Sequence, residues 1–414
     1  MYSVSVIPRA GQLALVSTLC AALCAPPGRA ADPAPAEATR APEADRAAAT
    51  PAAAATEPSA GDGPARGPLG LRIQGVLREL FLDPILLDAR PLERPAVDLR
   101  WAAANSWNLP MRLVQRLTEV DQFFDEQADS LTASARWPWS VWLGPGPALP
   151  GSGRGLFARL STAVEWRVTL HSGGWSDRPI ELWHGLVGAF NYERDRYPRN
   201  QLHLLFRDSH GSTAFDLQSA TLAPGDLVAR TQLVLLEGEG GALAARLDLK
   251  IPLGALVDAG SSGGVDAALV LGGTALPGRR LTIHGQVALA RFANFSLPIA
   301  LQPKPWHFFA DLSLQLHLLP GLLDFFLEDR VASPLLLPGW ERLPLLGDDG
   351  LLSSGLYAGF RAHNQVSFGL RWRELSLWLS EDFTPGTNPH SLLQILYVSN
   401  SPDVVIGLSW SHRF

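Results

Sequence analysis

The sequence has almost no cysteine. Its 414 residues hold two, Cys20 and Cys24, both inside the first thirty positions. A chain processed after residue 30 would carry none, which excludes disulfide staples, thiol catalysis and Cys-ligated zinc. An excess of basic charge is also lacking: 34 Lys and Arg stand against 40 Asp and Glu, a formal charge of −6. Nucleic-acid binding needs basic patches that neutralise phosphates, so that partner class is set aside. Long apolar runs are missing beyond the N-terminus. The nearest, LSLQLHLLPGLLDFF, is broken by Gln315, His317 and Pro320–Gly321, whereas a spanning helix needs about 20 apolar residues in a row. No membrane helix is expected. Membrane strands stay open, because their sequence signal is far weaker.

The first thirty residues read as a cleavable export signal. Arg9 precedes an apolar core, LALVSTLCAALCA, and small residues surround Ala30 and Ala31. Arg9 and Arg29 are the only charges there, so their removal leaves −8. Neither cysteine follows the small residues of a lipoprotein signal, since Leu19 and Leu23 precede them. Residues 31–67 are Ala, Pro, Glu, Thr and Gly without apolar periodicity, the composition of a disordered linker.

From residue 68 to 414 the chain alternates. In WHFFADLSLQLHLL, Trp306, Phe308, Leu312, Leu314, Leu316 and Leu318 share one face, and His307, Asp311, Ser313, Gln315 and His317 the other. LAARLDLKI, VSFGLRW and VEWRVTL repeat the pattern, with weaker segments at 98–106, 133–143, 227–236, 266–273, 280–291, 354–362 and 374–382. A soluble β protein with a dry core alternates too, and would bind an apolar ligand in the periplasm. Three features favour lipid outside instead. Strands such as 306–318 reach the ~9–11 residues that cross a bilayer at a tilt. Trp101, Trp166, Trp306, Trp372 and Trp410 sit near strand ends, where an aromatic girdle belongs. The polar faces carry full charges of both signs. The expected fold is all-β: a transmembrane antiparallel β-barrel of about 12 strands, even in number, with a short helix in one long loop.

The chain ends on DVVIGLSWSHRF, in mid-alternation. A closed barrel pairs its last strand with its first, so no edge needs a covering tail. A terminal Phe414 after Trp410, Leu408 and Ile406 resembles the signal read by the barrel assembly machinery of bacterial outer membranes. His412 departs from that aromatic or aliphatic pattern.

Alternation points Glu165, Arg167, Arg246, Asp248, Lys250, His307, Asp311, His317, Arg371 and Arg373 into the lumen, the residues a solute or an ion-pair network would meet. HSGGWSDRPIELWHGLVGAF holds a helix start, with Ser176 or Asp177 as cap, Pro179 in the first turn and Glu181 close behind. His171, Trp175, Asp177, Glu181, His184 and Asp195 are therefore loop or plug candidates. They lack a tight ligand spacing such as H-E-x-x-H, so no metal or cofactor is expected. GSSGG at 260–264 fits the nucleophile-elbow pattern around Ser262, but a strand pattern follows where the elbow needs a helix. A lipid-acting hydrolase is thus an alternative without a readable Ser–His pair, and no catalytic residue is assigned.

Four stretches, HSGGWSDRPIELWHGLVGAFNYERDRYPRNQ, RLDLKIPLGALVDAGSSGGVDAAL, LWLSEDF and SPDVVIGLSW, resemble a family of exported bacterial proteins, the domain of unknown function 3187. The KIPLG and GSSGG pieces also resemble a hairpin of barrels linked to aromatic-compound uptake. The resemblance implies a Gram-negative outer-membrane location, outer-membrane lipid as a partner, and a porin-like role: a channel or passive transporter for a small solute, or a structural barrel. It implies no reaction.

Overall fold

The computed structural model describes residues 67–75, 77–115, 118–148, 154–187, 198–208, 210–293, 303–335, 341–344, 363–382 and 404–414. The export signal, the linker up to residue 66 and the strand expected at 354–362 lie outside the described residues.

Fifteen strands appear among the described residues: β1 (Ala96–Gln115), β2 (Thr118–Pro138), β3 (Leu160–Ser172), β4 (His203–Asp208), β5 (Thr213–Leu217), β6 (Thr221–Gly238), β7 (Gly241–Ile251), β8 (Asp266–Gly278), β9 (Leu281–Arg291), β10 (Trp306–Leu319), β11 (Leu323–Ala332), β12 (Glu341–Pro344), β13 (His363–Trp372), β14 (Leu375–Asp382) and β15 (Val404–Arg413). Short helices are α1 (Ser140–Leu143), α2 (Leu156–Arg159) and α3 (Asp177–Val187), the last in the long connection after β3. Twelve strands close into an antiparallel ring. β1 pairs on one side with β2 and on the other with β15, from Ala96 opposite Arg413 to Asn105 opposite Val404. β12 pairs with the outer end of β1, and the β4–β5 hairpin with the outer end of β2.

The two rims differ. At one, three strand pairs are joined by two-residue turns, Glu239–Gly240, Arg279–Arg280 and Arg373–Glu374, and β2 reaches β3 through residues 139–159 with α1 and α2. β1 begins and β15 ends at this same near rim. The connections after β3, β7 and β11 leave from strand ends at the far rim.

The faces settle which solvent is outside. On β10, Leu312 and Leu316 are 47% and 40% exposed, while Ser313 and Gln315 are 0% exposed. The same inversion runs round the ring through Leu131, Leu247, Leu269, Leu289, Phe368, Leu377 and Leu408, all outward. A water-soluble β protein would bury these leucines, so the soluble alternative fails; an outer band of hydrocarbon and a polar interior is the arrangement of a barrel in lipid. His412 also finds its reason here. Its ring stacks on Trp410 at 5.6 Å and meets Phe414 edge-on at 4.9 Å, and its Nδ1 lies 2.7 Å from Glu374 Oε1. It stands as an aromatic in the terminal ladder.

Local sequence explains the irregular points. The β1–β2 register shifts between Asn108 and Met111, where Pro110 has no N–H to give a ladder. β6 bulges opposite Trp166–Val168, at Gly225–Asp226, and the bulge turns Asp226 inward onto Lys250, 2.8 Å away.

Candidate functional site

The lumen is filled. Residues 67–92, to which the sequence reading assigned no strand, form an irregular hairpin inside it. Gly70 and Gly75 adopt φ of +64° and +125°, Pro84 lacks an N–H, and one turn of 3-10 helix, Arg78–Leu80, makes the tip. Such a segment cannot satisfy its backbone in a ladder, so its polar groups must find other partners. Wall side chains supply them. On the rising limb, Arg371 Nη1 donates to Gly67 O at 2.7 Å, Leu69 N to Glu328 Oε1 at 2.6 Å, and Arg330 Nη1 to Leu71 O at 2.6 Å. Near the far rim, Lys250 Nζ donates to Leu80 O at 2.8 Å, and Leu82 N to Asp266 Oδ2 at 2.9 Å. On the descending limb, Gln286 Nε2 and Arg330 Nη2 donate to Pro84 O, Arg246 Nη2 to Ile85 O at 2.7 Å, and Gln232 Nε2 to Asp88 O at 2.9 Å. Ala89 N donates to Thr274 Oγ1 at 3.0 Å, close to the near rim again.

Charges in the hairpin and wall interlock. Glu165 is shared by Arg72 of the hairpin, Arg230 at 3.2 Å and Arg100 at 3.6 Å. Asp248 holds Arg246 at 2.7 Å and Arg230 at 3.6 Å. Arg330 pairs with hairpin Asp83 and with Asp311 at 3.1 Å. Buried ions of this kind are tolerable only as a connected network, because each alone would lose its hydration. At the near end, burial pushes the Asp88 carboxyl up, but the Arg90 guanidinium 2.6 Å away outweighs it and holds Asp88 below the ordinary carboxylate range.

Beside these charges, the far half of the interior holds an apolar cluster. Leu80, Phe81 and Leu82 at the hairpin tip join Phe292 and Phe309, with Phe81 stacked on Phe292 at 4.7 Å. β4 and β5 bring Phe206 and Phe215 onto Phe124, at 6.4 and 6.2 Å. Each fully buried aromatic contributes roughly 1.5–3 kcal/mol.

The residues singled out from alternation distribute as follows. Glu165, Arg246, Asp248, Lys250 and Asp311 are inward members of the network. Arg167 reaches Glu79, its Nη2 donating to Glu79 O at 2.8 Å and its Nη1 lying 3.2 Å from Glu79 Oε2. Arg371 is inward and lies over Phe326 at 4.5 Å. His307 stacks on Phe292 at 4.2 Å, and its Nε2 donates to Lys304 O at 2.8 Å. His317 meets Asp324 at 2.7 Å near the turn rim. Arg373 does not belong with them. It occupies the β13–β14 turn with φ +55°, exposed, its guanidinium over Trp372 at 5.7 Å. The turn starts one residue before alternation would end.

Four of the loop candidates have described side chains, at the end of β3, just before α3 and along it. His171 is the penultimate residue of β3 and pairs with Glu126 at 2.6 Å. Trp175 is exposed. Asp177 opens α3 and accepts hydrogen bonds from Asn105 Nδ2 at 3.0 Å and Asn200 N at 2.7 Å. Glu181 takes a two-point contact from Arg199. The side chain of His184 and all of Asp195 lie outside the described residues. Gln127 Oε1 accepts from Trp175 N and Ser176 N, so the loop is moored to β2. Ser262 is buried, and its Oγ accepts from Lys250 Nζ at 2.7 Å. The same Nζ also lies against Leu80 O, Asp226 and Asp266. β8 follows the GSSGG turn, where an elbow needs a helix.

The hairpin itself went unread in the sequence, with its Arg72, Glu79 and Asp83. One signal was available: GLRIQGVLRELFLDPILLDARP is apolar yet does not alternate, which disqualifies it as wall.

Residues 151–322 match the model of a family described as "Protein of unknown function (DUF3187)", the family whose stretches the sequence resembles. No curated protein matches. Among solved structures, the barrel resembles the COG4313 outer membrane channel from Pseudomonas putida F1, at 11% identity and a TM-score of 0.42, covering 79% of this chain and 97% of that one. It also resembles the NanC porin, at 8% identity and 0.37, covering 77% and 98%. A third likeness is to a mutant of the TodX monoaromatic hydrocarbon channel, at 12% identity and 0.32, covering 78% and 91%.

Proposed function

We propose that the protein is an outer-membrane channel for a small solute, held shut by its own N-terminal hairpin. The tight-turn rim faces the periplasm and the long-loop rim the outside, following the usual asymmetry of such barrels. The observation that carries the reading is the manner in which residues 67–92 are held. A purely structural barrel fills its lumen with its own wall side chains. Here the filling is a separate stretch of chain, docked through hydrogen bonds from Arg246, Lys250, Arg330 and Arg371 to its carbonyls. Those same side chains would line a polar passage once the hairpin moved.

The experiment compares the full chain with an Arg246→Ala/Arg330→Ala double variant in planar bilayers. Wild type should sit mostly closed. The variant should conduct several-fold more, while trypsin gains access to Arg72 and Arg78 and the barrel still shifts on heating in a detergent gel. A folded barrel with a cleavable hairpin and no added conductance would make the protein a structural barrel instead.

A further inference from the structure

The connection from β2 to β3 carries an apolar ledge at the near rim. Pro138, which has no N–H, ends β2, and Trp139 N donates to Leu160 O at 2.9 Å. One helical turn, α1, follows. Gly144 and Gly146 then take φ of +69° and +75°, which turns the chain back. Leu156 N donates to Pro147 O at 2.9 Å and Ala148 bridges Gly155, so the excursion closes on itself. What it holds out is hydrocarbon: Val141, Trp142 and Leu143, consecutive in α1, are 39%, 57% and 56% exposed.

Two contacts set α1 against the outer face of the wall. The Trp142 ring packs on Trp137 at 5.6 Å. On β2, Leu131 points out while Thr132 and Ser134 are buried, so alternation turns Trp137 outward. Trp139 Nε1 donates to Thr162 Oγ1 at 2.8 Å, and Thr162 lies three residues before inward Glu165, on the opposite face of β3. The outward row that ends in Trp137 runs back to Leu131, which pairs with outward Trp101 of β1. The ledge therefore continues the hydrocarbon band of the barrel to the rim. The turns Glu239–Gly240, Arg279–Arg280 and Arg373–Glu374 at that rim carry charge instead.

We infer that α1 is an interfacial anchor, and that lipid of the near-rim leaflet covers Val141, Trp142 and Leu143. Continuity with the band selects that occupant. A Trp ring suits the boundary between acyl chains and headgroups, because its body is apolar and its N–H polar. The flanking Val and Leu side chains supply apolar area that holds a short helix in the plane of the interface. The anchor fixes the depth of β2 and β3 in the bilayer, beside the strand β1 into which the hairpin leads. The inference rests on the outward band lying in lipid, and not on conductance.

Nitroxide labels placed singly at 131, 143 and 240 in a chain without other cysteines, reconstituted in phosphatidylcholine vesicles, test this. The ratio of relaxation by oxygen to relaxation by a water-soluble nickel chelate should be several-fold higher at 143 than at 240, and should approach that at 131. A ratio at 143 equal to that at 240 puts α1 in water and overturns the inference. So does an immobilised label at 143 that neither reagent reaches, the sign of a second copy or another protein on this face. Trp142→Phe, which keeps a ring against Trp137, gives a measurement free of the label. The emission it removes from wild type should be quenched about twofold or more by lipids brominated near the headgroup end of the chain. Emission that brominated lipid leaves unquenched overturns the inference as well, whichever way the conductance experiment falls.

Discussion

At the scale of single residues, the interior depends on shared ions. Glu165 serves three arginines, one of them in the hairpin. Glu165→Gln leaves those guanidiniums without their common carboxylate, and losses of this kind run to about 3–5 kcal/mol. We expect a matching drop in the guanidinium-chloride midpoint of the barrel in lipid, larger than that of Arg230→Met, which removes one partner of several. Asp88 gives a pH test. Its folded carboxyl is held below its ordinary range by Arg90, after burial has pushed the other way. Its contribution is therefore complete above the unfolded value of about 3.9 and disappears as pH falls through the lower folded value. Asp88→Asn should loosen the near end of the hairpin at pH 7, read as faster hydrogen exchange of the Ala89 amide, which donates to Thr274 Oγ1. In unfolding measurements, the stability gap to wild type should close in strongly acid solution and stay constant between pH 5 and 8.

At the scale of elements, the hairpin is anchored by its apolar tip as well as by its carbonyls. Phe81→Ala removes a ring stacked on Phe292, a change worth about 3–5 kcal/mol when the site cannot collapse. It should expose Arg72 and Arg78 to trypsin while strand content, by circular dichroism, stays the same. Strands such as β7, β10 and β13 were legible from the sequence, because each must present hydrocarbon on one face and polarity on the other, and period two records that demand. α3 was legible from its Asp177 start and Pro179. The hairpin was not, because a segment buried on every side has no face to alternate. Neither was the bulge that aims Asp226 at Lys250, since a one-residue insertion is invisible without the partner strand. Arg373 was misplaced for the complementary reason: periodicity continues on paper past the point where a two-residue turn ends the strand.

At the scale of the whole molecule, the decisive fact is that Leu312 and Leu316 point out and Ser313 and Gln315 point in. Spin labels at 312 and 408 in liposomes should be quenched by lipid-soluble oxygen and shielded from water-soluble nickel chelates. Single cysteines in place of Gly240 and Gly211, one at each rim, should react with impermeant thiol reagents from opposite sides of an intact outer membrane. Equal reactivity from one side would mean that the barrel does not span. The hairpin has one further consequence. Its first residue, Gly67, is held by Arg371 at the end of β13, and its exit leads directly into Ala96 opposite Arg413, so it enters and leaves through the same opening. It behaves as a bight of rope pushed into a pipe, never threaded through it. Withdrawn, it would leave by the near rim in one piece, with the strand pairing of the cylinder intact.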